Sequence, residues 1–200
     1  MLVRRGDAAL VLDAGTGLRR LVTEPERLDG VTRIDIALTH FHLDHVCGLA
    51  YLAALPVPPT VWAPGAWLYG TPSAELLAPL LSAPISPFSE RPPIHELRAG
   101  EQAIGPFTLT ARAQPRHWAP TAGLRVEDRL ALITDTGYDP GSAELARGVD
   151  HLLHEAWTPG DGCDGSAQDA ERVAREAGAH RLTFVHLHPH DPRGYDGIQL

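Results

Sequence analysis

The sequence predicts a mixed α/β fold, and three observations predict it. Apolar runs of strand length recur along the 200 residues, at 8–12, 34–38, 60–63, 107–113, 130–134 and 182–185. Between them lie stretches with apolar residues at helical spacing, at 46–55 and 167–177. Turns rich in Gly and Pro separate the two kinds of segment. The length suits one domain, 1–200. A chain of this size buries roughly 70% of its unfolded surface, so it needs no disulfide staples.

Composition narrows the function classes. Cys47 and Cys163 are too few for a secreted disulfide framework and are read as reduced thiols, with Cys47 as a small packing residue. A formal net charge of −8 disfavours a large nucleic-acid footprint, which needs clustered Lys and Arg. No apolar run reaches membrane-spanning length, and the N-terminus has no signal-peptide apolar region. A cytoplasmic protein with a small-molecule substrate and no membrane partner is expected, with a homodimer left open.

Residues 8–12 form the first apolar run and end in Asp13-Ala14-Gly15-Thr16-Gly17, a strand followed by a glycine turn. On residue type alone, Asp13 caps the next helix or braces the turn. The run at 34–38 then leads into Thr39-His40-Phe41-His42-Leu43-Asp44-His45. His40 and His42 are two apart, so an extended segment points both the same way; Asp44 continues that alternation and His45 follows directly. Four nitrogen and oxygen donors on one short loop suit a borderline divalent ion such as zinc, manganese or iron. Histidines placed where a buried strand ends are rarely solvent decoration.

Residues 39–45 resemble the His-x-His-x-Asp-His signature of the metallo-β-lactamase fold superfamily. The His that follows the Asp resembles the hydrolase branches: phosphodiesterases, ribonuclease Z and glyoxalase II. The resemblance implies a four-layer αββα sandwich of two mixed β-sheets flanked by helices. It also implies two divalent ions, zinc before manganese or iron, at strand ends and loops along one edge. Asp13 then supports the metal loop from behind its ligands. Family members usually carry another strand and a Gly-Ser-rich loop before this turn. The chain begins Met1-Leu2-Val3-Arg4-Arg5 and has neither, so the first strand is expected to be missing or the start to be internal.

After the motif, helical spacing of Val46, Leu49, Ala50 and Ala53 predicts a helix that stops at Pro56. Residues 60–63 suit a strand, and a helix candidate spans 73–81 with Ser73 as its cap. Trp62, Trp67 and Tyr69 suit core packing better than a pocket wall. Strands follow at 94–97, 102–104 and 107–113, separated by Gly-containing turns. His117 then precedes Gly123-Leu124-Arg125-Val126 and resembles the family's third metal histidine. The strand at 130–134 ends in Asp135-Thr136-Gly137, where Asp135 resembles the bridging aspartate.

A short strand at 150–154 leads into Glu155, which resembles an acidic residue that orients a catalytic histidine in ribonuclease Z. That enzyme's partner motif is His-Ser-Thr. Aligned back from 170–178, its His falls on Asp164, followed by Gly165 and Ser166, so the histidine is absent and full ribonuclease Z chemistry is not expected. His154 is expected to face elsewhere. Residues 167–177 read as an amphipathic helix with Ala170, Val173, Ala174 and Ala177 on one face, stopped by Gly178. After the strand at 182–185 comes His186-Leu187-His188-Pro189-His190. His186 resembles the final ligand, while His188 and His190 share its parity and stay open. His95, His151 and His180 have no motif partners and are read as structural.

The resemblance implies that His40, His42 and His117 hold one ion and that Asp44, His45 and His186 hold the second. Asp135 bridges, and Asp44 and Asp135 are the carboxylates at the reacting centre. It implies hydrolysis, foremost of a phosphodiester, by a hydroxide held between two metals. A glyoxalase II-like thioesterase or lactonase, and a non-catalytic metal-binding protein of the same fold, are the alternatives.

Overall fold

The computed structural model describes residues 1–86, 91–157 and 163–188. The chain forms two compact units, Met1–Arg98 with Ala103–Phe107, and Ala99–Gln102 with the residues from Thr108 onward. There are two mixed β-sheets with flanking helices, as expected of an α/β fold. No helix of the described residues is long and apolar enough to cross a membrane.

The first sheet has the order β1 (Leu2–Arg5), β2 (Ala8–Leu12), β3 (Arg33–Ala37), β4 (Thr60–Ala63), β5 (Ile94–Glu96). Strand β1 is antiparallel to β2, and the others run parallel. Parallel strands are covered on both faces, which is why β2 is apolar at every position and wholly buried. The core gathers Val11, Leu18, Ile34, Ile36, Leu49 and Val61. Burying each such side chain contributes roughly 1.5–3 kcal/mol. Asp35 lies buried within β3 and is neutralised there. It accepts from Arg33 Nε at 2.6 Å and from Trp62 Nε1 at 2.9 Å. Trp62 also stacks on His95, so neither residue is free for a pocket wall.

Three sequence expectations change in this unit. Residues 2–5 form β1, although the sequence reading gave them no strand. The expected helix at 46–55 is one α-turn, following α1 (Arg20–Thr23) as α2 (Leu43–Val46), and then a 3-10 stretch, Cys47–Ala54. The α-ladder is diverted: the His45 carbonyl accepts from Ala14 N at 2.9 Å, and Gly48 N donates to the Ala14 carbonyl at 2.7 Å. Ser73 begins α3 (Ser73–Leu77) but is not its cap. Its buried Oγ donates to the Ala63 carbonyl at 2.7 Å and accepts from Gly65 N at 2.9 Å, tying two turns together.

The second sheet has the order β11-β10-β9-β8-β7-β6, from β6 (Gly100–Ile104), β7 (Phe107–Gln114), β8 (Thr121–Val126), β9 (Leu130–Ile133), β10 (His151–Ala156) and β11 (Leu182–Leu187). Strands β7 to β9 are antiparallel neighbours, and β9, β10 and β11 run parallel. Helices α4 (Pro140–Leu145) and α5 (Ala167–Ala177) join a core of Ala131, Ile133, Val149, Leu152, Val173 and Ala177. Helix α5 keeps its predicted bounds. Ser166 and Asp169 form a capping box at its start, and Gly178 closes it at φ +64°.

Strands β10 and β11 are longer than their sequence signals. Glu155 therefore lies inside β10 and His186 inside β11. The register shifts there: Val185 pairs with Glu155 and Leu187 with Ala156, so His186 is the extra residue of a bulge. His151 and His180 have structural partners, Thr183 and Arg181 for the first and Asp150 for the second.

Candidate metal centre

In the first unit the motif leaves β3 and enters α2. His42 is still extended (φ −62°, ψ 148°), but Asp44 and His45 lie in the first helical turn, so the extended alternation ends at His42. The three imidazoles nonetheless cluster, with the His40 ring centroid 4.4 Å from that of His42 and 4.3 Å from that of His45. His40 and His45 are buried and His42 half-buried. Asp44 reaches out, its side chain 60% exposed, with Oδ2 standing 3.4 Å from His45 Nε2. Two donors on one tetrahedral ion, with bonds of about 2.0–2.1 Å, lie about 3.3 Å apart. Asp44 and His45 are therefore spaced to share an ion.

The glycine turn holds this loop from behind. A Cβ at Gly15 would collide with the Asp44 carbonyl, and one at Gly48 with the Gly15 carbonyl. Asp13 adopts φ +60°, which Asp tolerates better than most residues. It aims its carboxylate at the loop: Oδ1 accepts from Thr39 N at 2.8 Å, and Oδ2 faces His45 Nδ1 at 2.9 Å. Thr39 Oγ1 donates to the same carboxylate at 2.9 Å. It caps no helix; the first 3-10 turn has Gly15 in that place. Burial pushes the Asp13 carboxyl up, but the His45 and His40 imidazoles and the Thr39 N–H outweigh it and hold the group below its ordinary value.

In the second unit Asp135 lies two residues past β9, at φ +52°, and is buried. Thr134 Oγ1 donates to its Oδ2 at 2.6 Å, and Thr121 Oγ1 to its carbonyl at 3.1 Å. His186 sits on the bulge at φ +48°. Its Nδ1 lies 3.3 Å from Glu155 Oε2 and 3.9 Å from Asp135 Oδ2. Trp157 stacks on its ring at a centroid distance of 4.7 Å and meets His188 edge-on. His190 lies outside the described residues. Backbone strain of about 1–3 kcal/mol at a position such as Asp135 or His186 is typical of residues held for a function.

Glu155 is wholly buried, receives the Thr136 N–H and contacts a candidate ligand, His186, rather than a separate catalytic histidine. Burial raises its carboxyl above the ordinary value, and the neighbouring Asp135 carboxylate adds to this against the opposing bond from His186. The His117 side chain is 4% exposed, and its Nδ1 lies 3.1 Å from Asp164 Oδ1. His154 is fully buried beneath Gly165, with Nδ1 bonded to the Glu155 carbonyl at 2.9 Å. Burial brings its pKa down to about 4, so the ring is neutral at physiological pH.

Clustered histidines on the segment after β3 and on the β11 bulge, with His45 and His186 each facing a carboxylate, accompany a match to a known family. The sequence profile described as "Beta-lactamase superfamily domain" matches residues 9–187. The chain belongs to the metallo-β-lactamase superfamily. An uncharacterised protein of Mycobacterium tuberculosis (strain ATCC 25618 / H37Rv) is 31% identical over 90% of this chain and 70% of its own. A ribonuclease Z of Myxococcus xanthus (strain DK1622) is 26% identical over 96% of this chain and 82% of its own. Among solved structures, a diphosphatase of the PhnP family superposes with a TM-score of 0.77 at 18% identity, covering 100% of this chain and 77% of that one. Members of the superfamily are metal-dependent hydrolases.

The residues of this superfamily member fit divalent ions by a hydrogen-bond argument. Thr39 Oγ1 spends its proton on Asp13, so its 2.9 Å contact with His40 Nδ1 requires the ring to donate. His45 Nδ1 faces a carboxylate and must donate as well. Both rings are thereby fixed with the proton on Nδ1, leaving the Nε2 lone pair for a metal. Thr39 was not singled out in the sequence, although a hydroxyl just before the first motif histidine was a visible signal. Trp157 was likewise passed over, because nothing in its neighbourhood marks it as a stacking partner for His186.

Proposed function

We propose that this protein is a dinuclear metal-dependent hydrolase of phosphodiesters, with zinc as the foremost ion. The observation that carries the metal reading is the placement of the Thr39 hydroxyl and the Asp13 carboxylate against Nδ1 of His40 and His45, which assigns the proton to Nδ1 of both rings. In this reading His40, His42 and His117 would hold one ion and Asp44, His45 and His186 the other, with the Asp135 carboxylate available to both. Asp44 supplies the exposed carboxylate and Asp135 the buried one. Two such ions supply Lewis acidity at the scissile ester and a water acidic enough to act as nucleophile near neutral pH.

The remaining work belongs to the chain. Asp13 and Glu155 keep His45 and His186 in orientation. Preference for a phosphorus ester is supported by the similarity to a ribonuclease Z and to a PhnP-family diphosphatase. The net charge of −8 supports a small substrate over a long nucleic acid.

The test is metal analysis coupled to a panel of bis(p-nitrophenyl) phosphate, p-nitrophenyl phosphate and an acyl thioester. The expected result is two ions per chain and turnover of the diester foremost. Turnover of the thioester alone would move the assignment to a thioesterase, and full metal loading with no turnover would remove the enzyme reading.

A further inference from the structure

The position on which the His of the ribonuclease Z His-Ser-Thr motif falls is Asp164, and its surroundings give it a task of its own. Its Oδ1 lies 3.1 Å from His117 Nδ1, with the two side chains 20% and 4% exposed. The loops carrying the pair are bound to one backbone donor. Gly137 N donates both to the Arg116 carbonyl at 2.9 Å and to the Cys163 carbonyl at 3.0 Å. Each carbonyl belongs to the residue just before a member of the pair. On the other side of Asp164, the Gly165 carbonyl accepts from Trp157 N at 2.9 Å. A Cβ at Gly165 would press on the Thr136 carbonyl, Glu155 and His154 at 3.0–3.1 Å, so this segment packs as closely as it can. The approach of Asp164 to His117 is thus built into the backbone on both sides.

We propose that Asp164 is a positioning residue for His117. Its carboxylate holds the imidazole proton on Nδ1 and so presents the Nε2 lone pair to a metal ion. The inference rests on the reading of His117 as a metal ligand. The Nδ1–H is not aimed straight at Oδ1, since the contact has ion-pair distance without hydrogen-bond alignment. His117 matches His45 and His186, whose Nδ1 atoms face Asp13 and Glu155. In all three an acidic side chain distant in sequence holds the ring, the arrangement by which outer carboxylates fix ligand histidines. Asp164 in this role is not available as the proton donor for the leaving group.

The first measurement needs no metal. Long-range 1H–15N correlation on the histidine-labelled, chelator-treated protein at pH 8 reports which ring nitrogen carries the proton, with His117→Gln assigning the signal. We expect Nδ1–H in the wild type and in Asp164→Asn, whose amide oxygen accepts the same proton, and a shift towards Nε2–H in Asp164→Ala. The second is zinc affinity by competition with a chromophoric chelator. Asp164→Ala should lose roughly 10–100-fold and Asp164→Asn less, with the cobalt(II) absorption band altered in the alanine variant only. Should the alanine variant fail to fold, Asp164→Asn carries the test through a fall in zinc affinity of a few-fold. Unchanged tautomer and unchanged zinc affinity in the variants would overturn the proposal. So would a loss confined to the rates of poor leaving groups, since that marks Asp164 as the acid. A protein that hydrolyses none of the esters but shows the tautomer shift would refute the hydrolase reading and leave this inference standing.

Discussion

Asp13 and Glu155 perform the same task in opposite electrostatic settings. Each is a carboxylate set against the Nδ1 of a candidate ligand histidine, His45 in one unit and His186 in the other. Asp13 is held below its ordinary value although burial opposes this, because two imidazoles and the Thr39 N–H face it. Glu155 is raised by its burial and by the Asp135 carboxylate, against the His186 ring and the Thr136 and Gly165 N–H groups. The difference shows that contact with a histidine does not by itself fix the charge of a supporting acid. The balance of burial, donors and neighbouring charges does.

The signs follow for the metal-free protein. A depressed carboxyl stabilises the fold above its unfolded value and loses that contribution as pH falls through its folded value. Asp13 is therefore an asset from about pH 4 upward. A raised carboxyl behaves oppositely: its contribution is present below the unfolded value and is lost as pH rises through the folded one. Glu155 therefore works against stability once ionised, until a cation arrives near it.

The sharpest way to break the comparison is Asp13→Asn. The amide preserves size and still accepts from Thr39 N, but its NH2 group must face either the His45 Nδ1–H or the Thr39 hydroxyl. We expect a loss of about 2–3 kcal/mol in urea unfolding at pH 7 and a fall in zinc affinity of roughly 10–100-fold. Wild-type values in both would show that Asp13 does not govern the motif loop.

The second largest effect isolates the other region. His154 is neutral and buried with a pKa of about 4, against 6.5 in the unfolded chain. The unfolded state binds more protons between those values, so stability falls as pH is lowered through that window. Between pH 7 and pH 4.5 the chelator-treated wild type should lose about 2–3 kcal/mol from this group alone. His154→Gln should lack that part of the slope; parallel curves for the two proteins would discard the assignment. A third change separates fold from site within the same unit. Ser166→Ala removes the capping box of α5 and should cost about 1 kcal/mol in chemical denaturation, with zinc stoichiometry unchanged.

Much of this was legible in the sequence where local chemistry decides. The candidate donors His40, His42, Asp44 and His45 lie within six positions, and the strands at 8–12, 60–63 and 130–133 are apolar at nearly every position, as strands covered on both faces are. Helix α5 was readable from its spacing and its terminal Gly178. What escaped depends on long-range pairing. The helix after the motif breaks because Ala14 takes over its backbone groups, and Ser73 is a knot rather than a cap because Ala63 and Gly65 reach it. His186 lies inside a strand on a bulge, which no composition signal announces. The partnership of Asp164 with His117 spans 47 positions of separation and needs the Gly137 bonds to bring it about.

The smallest expected effect is the most discriminating, because it should be nearly silent where Asp13→Asn is loud. Glu155→Gln keeps an oxygen for the Thr136 N–H and replaces a carboxylate by a neutral group of the same shape. In the metal-free protein at pH 8, ionised Glu155 sits buried beside Asp135, a repulsive arrangement that the amide relieves. The amide gives up a charge-assisted contact to His186 that is already long at 3.3 Å. The two changes oppose each other, so metal-free stability at pH 8 should be unchanged or raised. Zinc affinity should nonetheless fall, because an amide that keeps its oxygen on the Thr136 N–H turns its NH2 group toward His186 Nδ1. Thermal melts with and without chelator, and competition titrations, measure both quantities. A loss of metal-free stability comparable to that of Asp13→Asn would mean that Glu155 is ionised and well paired in the folded state, and the contrast between the two acids would then disappear.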